Sequence, residues 1–159
     1  MNQECYENRL ELTVPSHPDY MRVVRCLVRE MAQIGKFPDA DVRGMVLATD
    51  EACTNIIKHS YENDYGQKIV VSIFVFPDRM EIKLKDFGKK VDVDEIRPRD
   101  LAEVRPGGLG VHIIRETMDE VVYRPVEGAG MELKLVKKRR FTPTCARGGS
   151  SGRKQAPDE

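Results

Sequence analysis

The sequence predicts an α+β fold: a two-layer sandwich with a mixed, mostly antiparallel sheet and helices on one face. Three observations point to it. Two early stretches repeat apolar residues at helical spacing, and the chain from Lys68 onward turns to strand-like patterning. The order of elements is strand, two helices, two strands, a loop, a helix and a closing hairpin, which suits helices packed against one face of a sheet.

Glu7 to Val14 alternates weakly and reads as a first strand. Ser16-His17-Pro18-Asp19 marks a helix start. Ser16 is the expected cap, Pro18 fits the first turn, and Asp19 favours the positive end. Met21, Val24, Val28 and Met31 carry that helix to Ile34, where Gly35 ends it. A second helix is expected from Pro38–Asp41 to Glu62. At about 100° per residue, Val42, Met45, Val46, Thr49, Cys53 and Ile56 share a core face. Gly44, Ala48, Glu51, Asn55, Lys58 and His59 share the other. Lys68 to Phe76 is apolar on both faces except for Ser72, as a central strand would be. A turn at Pro77-Asp78-Arg79 leads to Met80–Asp86, a clean period-two strand. Lys89 to Arg105 is charged and weakly periodic, and reads as a long loop. Pro106-Gly107-Gly108-Leu109-Gly110 opens a third helix through Met118. Strands Glu120–Pro125 and Met131–Val136 then close the fold around a Glu127–Gly130 turn.

At 159 residues the chain is long enough to bury a core, read here as one domain over residues 1–137. Residues 138–159, basic and then Gly/Ser/Pro-rich, read as a disordered tail. Lysine plus arginine balances aspartate plus glutamate at 26 each. That balance draws the whole molecule neither to nucleic acid nor to an anionic membrane. The longest apolar run, Ile69 to Phe76, falls far short of the roughly 20 residues a membrane helix needs. Met1 to Leu10 is polar and acidic rather than signal-like, so a cytoplasmic protein is expected. Cys5, Cys26, Cys53 and Cys145 are scattered and the three histidines are isolated. Neither a disulfide framework nor a zinc site is expected.

Three constellations carry chemistry. Glu51, Asn55 and His59 lie four apart, forming one stripe on the second helix. A carboxylate can serve as a general base and an amide oxygen is a hard ligand suited to Mg²⁺. The same stripe also describes a solvated helix face. In Asp86-Phe87-Gly88, Asp86 falls in phase with Met80, Ile82 and Leu84 and so points to the core, where it needs donors. An adenine amino group is one candidate; a backbone N–H, an arginine or a simple turn are the others. Arg105-Pro106-Gly107-Gly108-Leu109-Gly110 then leads into a helix. Glycines there let backbone N–H groups approach phosphate oxygens at a positive helix end, and a flexible loop fits the same residues.

In order and spacing these three resemble the N, G1 and G2 boxes of the GHKL ATPases. Asp50-Glu51-Ala52-Cys53-Thr54-Asn55 with His59-Ser60-Tyr61, and Gly107-Gly108-Leu109-Gly110 through Met118-Asp119-Glu120-Val121, are similar to the RsbW-type anti-sigma-factor serine kinases. The resemblance spans Leu10 to Lys137. It implies ATP as cofactor, Mg²⁺ held at Asn55, and Glu51 as the base for a serine hydroxyl. It implies that Asp86 reads adenine and that Gly88, Gly107, Gly108 and Gly110 shape the pocket and its lid, with Arg105 near the γ-phosphate. The lid is then Lys89 to Pro106. By the same resemblance the substrate is a serine on a STAS-domain antagonist, with a sigma factor as a further partner, a homodimer as the assembly, and no direct nucleic-acid contact. The sequence departs from the broader pattern at Lys89-Lys90, which follows Gly88 where a second glycine is common, and at Met131, where many relatives have threonine.

The competing reading is an ATP-binding module that sequesters a partner without phosphotransfer, which would not need a base at Glu51. A histidine-kinase catalytic domain is expected to follow a dimerising helical hairpin, and the residues before Ser16 do not supply one. A freely hydrolysing ATPase is expected to carry a transducer domain after the ATP site.

Overall fold

A computed structural model describes residues 8–88, 109–128 and 130–140. Its elements are β1 (Asn8–Pro15), a 3₁₀ turn (Pro18–Tyr20), α1 (Met21–Ile34), α2 (Asp39–Asn55), a π turn (Ile56–Ser60), β2 (Lys68–Val75), β3 (Arg79–Lys85), α3 (Leu109–Thr117), β4 (Glu120–Pro125) and β5 (Met131–Lys138). The five strands form one sheet in the order β1-β2-β3-β5-β4. The antiparallel pairing expected to predominate is complete among the described residues: all four neighbouring pairs are antiparallel.

Period two decides which side of the sheet is buried. On β2, Ile69, Val71, Ile73 and Val75 face inward and are buried, and on β3 Met80, Ile82 and Leu84 do the same. They join Val24, Val28 and Met31 of α1, Met45 and Cys53 of α2 and Ile56 of the π turn in one buried cluster, so the helices cover one face as expected. Val70, Ser72 and Phe74 on the other face of β2 are only half-buried. Their apolar character is covered instead by long basic side chains: Arg9 and Lys83 lie 5.2 and 5.0 Å from the Phe74 ring centre. None of the described helices is long and apolar enough to cross a membrane.

The start of α1 differs from expectation. Ser16 does not cap it. Its hydroxyl donates to the Asp64 carbonyl at 2.6 Å and accepts from the Gln67 N–H at 3.2 Å, tying β1 to the turn before β2. His17 caps instead, its Nδ1 accepting the Asp19 N–H at 3.2 Å, and a 3₁₀ turn precedes α1. Ser and His are adjacent, and the buried Ser16 hydroxyl is taken by the Asp64 carbonyl and the Gln67 N–H, distant in sequence, which leaves the cap to His17.

The second helix also departs. Regular α-helix stops at Asn55, and the Tyr61 N–H bonds five residues back to the Ile56 carbonyl at 3.0 Å. The wider turn takes His59 out of line with Glu51 and Asn55 and leaves it exposed. The small residues on the second side of α2 are covered by α3. Ala48 and Ala52 are buried, and a Cβ on Gly44 would sit 3.2 Å from the Thr117 Cγ2 of α3. At the C-terminus, β5 continues past Val136 to Lys138. Arg139 then donates to the Gly35 carbonyl at 2.5 Å and lies 5.2 Å from the Phe37 ring centre.

Candidate functional site

The site gathers around the C-terminal half of α2. Glu51 and Asn55 lie one turn apart and are half-buried. They face the first turn of α3: a Cβ on Gly110 would fall 2.6 Å from Glu51 Oε2 and 3.7 Å from Asn55 Nδ2. Gly110 is buried, and its lack of a side chain leaves the Glu51 carboxylate in place against the helix start. The two helices run antiparallel, since Gly110 meets Glu51 at one end while Thr117 meets Gly44 at the other. Small residues at both contacts draw the axes together and bring the positive end of α3 to the acid and the amide.

The π turn builds the second half. It carries Ser60 and Tyr61 onto the end of β3. A Cβ on Gly88 would come within 2.9 Å of the Ser60 carbonyl carbon, so glycine is required where these backbones meet. The Tyr61 hydroxyl donates to the Lys68 carbonyl at 2.6 Å and accepts the Phe87 N–H at 2.8 Å, locking the turn after β3. Burial raises the Tyr61 phenol above its ordinary range.

Asp86 points inward in phase with Met80, Ile82 and Leu84, and is 2 % exposed. Its carboxylate accepts the Gly88 N–H at 3.0 Å, together with hydrogen bonds from the Met131 backbone and the Ser60 side chain. Burial raises its pKa, and these donors offset part of the rise. Of the alternatives open for the Asp86 partners, backbone donors are therefore present. An ionised carboxylate can accept about four hydrogen bonds, so a carboxylate held in this way can still accept from a further donor. Gly130 packs against the backbone of this turn. Its φ is +89°, and a Cβ there would lie 2.7 Å from Phe87 Cα and collide with the Asp86 carbonyl oxygen.

Phe87 is half-exposed beside a cleft of about 280 Å³ lined by Ser60, Tyr61, Glu62, Asp64, Gln67, Phe87 and Gly88. Lys68 and Lys85 place their ammonium groups 4.7 and 5.2 Å from its ring centre. Arg105, Gly107 and Gly108, with the expected lid over Lys89–Pro106, lie outside the described residues. Cys53 is fully buried and its thiol is pushed up to about 12, which removes it as a nucleophile.

Of the residues singled out in the sequence, Glu51, Asn55 and Gly110 come together, and Asp86 and Gly88 meet Ser60; how Ser60 and Tyr61 hold the Asp86 turn was not legible there. A π turn leaves no periodic trace in a sequence, and the one available signal was the position of both residues directly after the acid–amide helix.

The family model for the histidine kinase-like ATPase domain matches residues 14–137. The serine-protein kinase RsbW of Halalkalibacterium halodurans is 32 % identical over 136 residues, covering 80 % of this chain and 82 % of that protein. Its namesake from Bacillus subtilis is 30 % identical over 121 residues, covering 70 % and 75 %. The chain belongs to the RsbW branch of the histidine kinase-like ATPases. Two solved structures share the fold. A chain of the SiaB–SiaC complex from Pseudomonas aeruginosa superposes with a TM-score of 0.62 at 13 % identity, covering 80 % of this chain and 88 % of that one. The RsbU and RsbW domains of a Mycobacterium tuberculosis protein give 0.57 at 19 % identity, covering 83 % and 32 %.

The RsbW-type site fits a nucleotide by its donor set. A buried carboxylate acceptor suits an exocyclic amino group, and a glycine-bearing helix start beside an acid and an amide suits phosphates. Among the described residues no cluster of three or more His, Cys, Asp or Glu side chains is placed to hold a metal ion.

Proposed function

We propose that this chain is an ATP-dependent protein-serine kinase of the partner-switching kind, transferring the γ-phosphate of ATP to a serine on a STAS-domain antagonist protein. The observation that carries the reading is the apposition of Glu51 and Asn55 to Gly110 at the start of α3. A base, a metal-binding amide and a positive helix end meet there, which is what in-line phosphoryl transfer requires of a protein. Glu51 accepts the proton of the attacking serine hydroxyl. The serine oxygen bonds to the γ-phosphorus as the bond to the β–γ bridging oxygen breaks, and ADP leaves. Asn55 would hold Mg²⁺ through its amide oxygen, and the ion would neutralise phosphate charge. Asp86 accepts from the adenine amino group, Gly88 keeps its turn tight against Ser60, and Gly107, Gly108, Gly110 and Arg105 serve the phosphate side and its lid.

The wider setting rests on likeness to the RsbW kinases. A sigma factor is the alternate partner, the assembly is a homodimer, and the compartment is the cytoplasm.

The test is transfer of labelled γ-phosphate to the STAS proteins of the same genome, with and without Mg²⁺. A labelled serine that disappears in Glu51→Gln, while ATP binding persists, supports the kinase reading. Asn55→Ala should abolish the Mg²⁺ dependence of ATP binding. ATP binding with no labelled protein would point instead to a module that sequesters a partner.

A further inference from the structure

A second buried charge faces inward at the opposite end of the sheet from Asp86. Period two on β5 places Leu133, Leu135 and Lys137 on the core side, and Lys137 is only 6 % exposed. Its register partner is Met80, at the start of β3, whereas Asp86 follows the last residue of that strand. A buried ammonium is costly unless acceptors surround it. Lys137 Nζ donates to the Thr117 carbonyl at 2.9 Å and lies 3.5 Å from Asp41 and 3.7 Å from Asp119.

These three acceptors belong to different elements. Thr117 is the last residue of α3, Asp41 is in the first turn of α2, and Asp119 leads into β4. A cation at the carbonyl end of α3 also complements the negative pole of that helix. The same residue, Thr117, rests its methyl near Gly44 of α2. The C-terminal end of α3 is thus fixed from the sheet and from α2 together. A helix of 9 residues is a short rod, about 13 Å long, so fixing one end directs the other. The other end is Gly110, against Glu51 and Asn55.

We propose that Lys137 is a positioning residue for phosphoryl transfer, anchoring the C-terminal end of α3 so that its N-terminal end meets Glu51 and Asn55. The chemistry in this inference rests on the kinase reading; the geometry does not. A side chain that merely stabilised the fold would weaken every property of the protein alike. One that positions α3 acts on the phosphate side and spares the adenine side, where Asp86, Ser60 and Gly88 are held without it.

The experiment compares Lys137→Met, Lys137→Arg and Asp41→Asn in the full chain. It measures thermal unfolding, amide exchange over residues 109–117, affinity for ATP and for ADP, and phosphate transfer at saturating ATP. In folded Lys137→Met, exchange in α3 should rise well above that in α2, because the rod has lost its anchor. Turnover and the preference for ATP over ADP should each fall about tenfold, with ADP affinity changing less than about twofold, since small misplacements cost rate steeply. Lys137→Arg should recover most of the loss, and Asp41→Asn should show the same split more weakly. Unchanged α3 exchange and turnover would overturn the proposal, as would parallel loss of turnover, ADP affinity and stability. If Lys137→Met does not fold, Asp41→Asn decides between the same outcomes. Should the wild type label no protein, the kinase reading fails while exchange and ATP-over-ADP preference still judge the anchor.

Discussion

Glu51 Oε2 occupies the space a Cβ on Gly110 would need, at 2.6 Å from that point. The acid of α2 and the first turn of α3 are therefore fitted to each other across a gap that admits one hydrogen atom and no methyl group.

Gly110→Ala should then move the carboxylate rather than break the fold. Gly110 sits in a helix, where alanine is the better former, so stability should change by less than about 1 kcal/mol. Serine phosphorylation should fall about a hundredfold, because a displaced base loses its geometry. ADP binding should hold, being governed by the Asp86 side. Steady-state transfer kinetics beside ADP titration checks this; wild-type turnover in the variant would remove Gly110 as the spacer for Glu51.

Asp86→Asn exchanges an acceptor for a group that also donates. ATP affinity should drop by about 1–3 kcal/mol and GTP affinity by less, which competition binding reads directly. An unchanged purine preference would remove Asp86 from base recognition.

Protonation of Asp86 should have the same effect on ATP as that substitution. Its pKa in the fold stands above the ordinary 3.8, chiefly through burial. The folded state therefore binds this proton more readily than the unfolded chain. The stability that follows is full below the unfolded value and is lost as pH rises through the folded value. ATP affinity should run the other way and fall as pH drops through the folded value. Titrating both from neutral pH downward should show the opposed trends, and Asp86→Asn should flatten both.

Tyr61→Phe deletes one hydroxyl and strands two backbone groups, the Lys68 carbonyl and the Phe87 N–H. The midpoint of urea unfolding should fall by the equivalent of about 1–3 kcal/mol with little change in slope. ATP should also bind more weakly, because the turn after β3 loses its lock to the π turn. Unaltered affinity in a destabilised variant would confine Tyr61 to the fold.

Gly128 and Gly130 separate strain from collision. Both have positive φ, +97° and +89°, but a Cβ on Gly128 meets nothing within 4 Å while one on Gly130 meets the Asp86 carbonyl. Gly128→Ala should cost about 1 kcal/mol from backbone conformation alone. Gly130→Ala should cost about 2–4 kcal/mol and impair ATP binding, because the added methyl pushes on the residue that reads the base. Equal costs in chemical denaturation would refute the distinction.

The residue pattern alone determined the strands to within two residues, the C-terminal ends of α1 and α3, and the inward direction of Asp86. Each follows from a period of 2.0 or 3.6 that a local stretch displays. The types and order of the acid, the amide and the glycines also carry the family likeness. Tertiary structure alone decided the rest. Ser16 serves a carbonyl 48 positions away instead of capping α1. Ile56–Ser60 widens into a π turn that carries Ser60 and Tyr61 to the end of β3. Lys137, where the chain turns basic in sequence, is buried between α2, α3 and β4. The physical reason is common to all three: a polar group removed from water binds whichever partner the fold brings near, and that partner is set by packing rather than by neighbours along the chain.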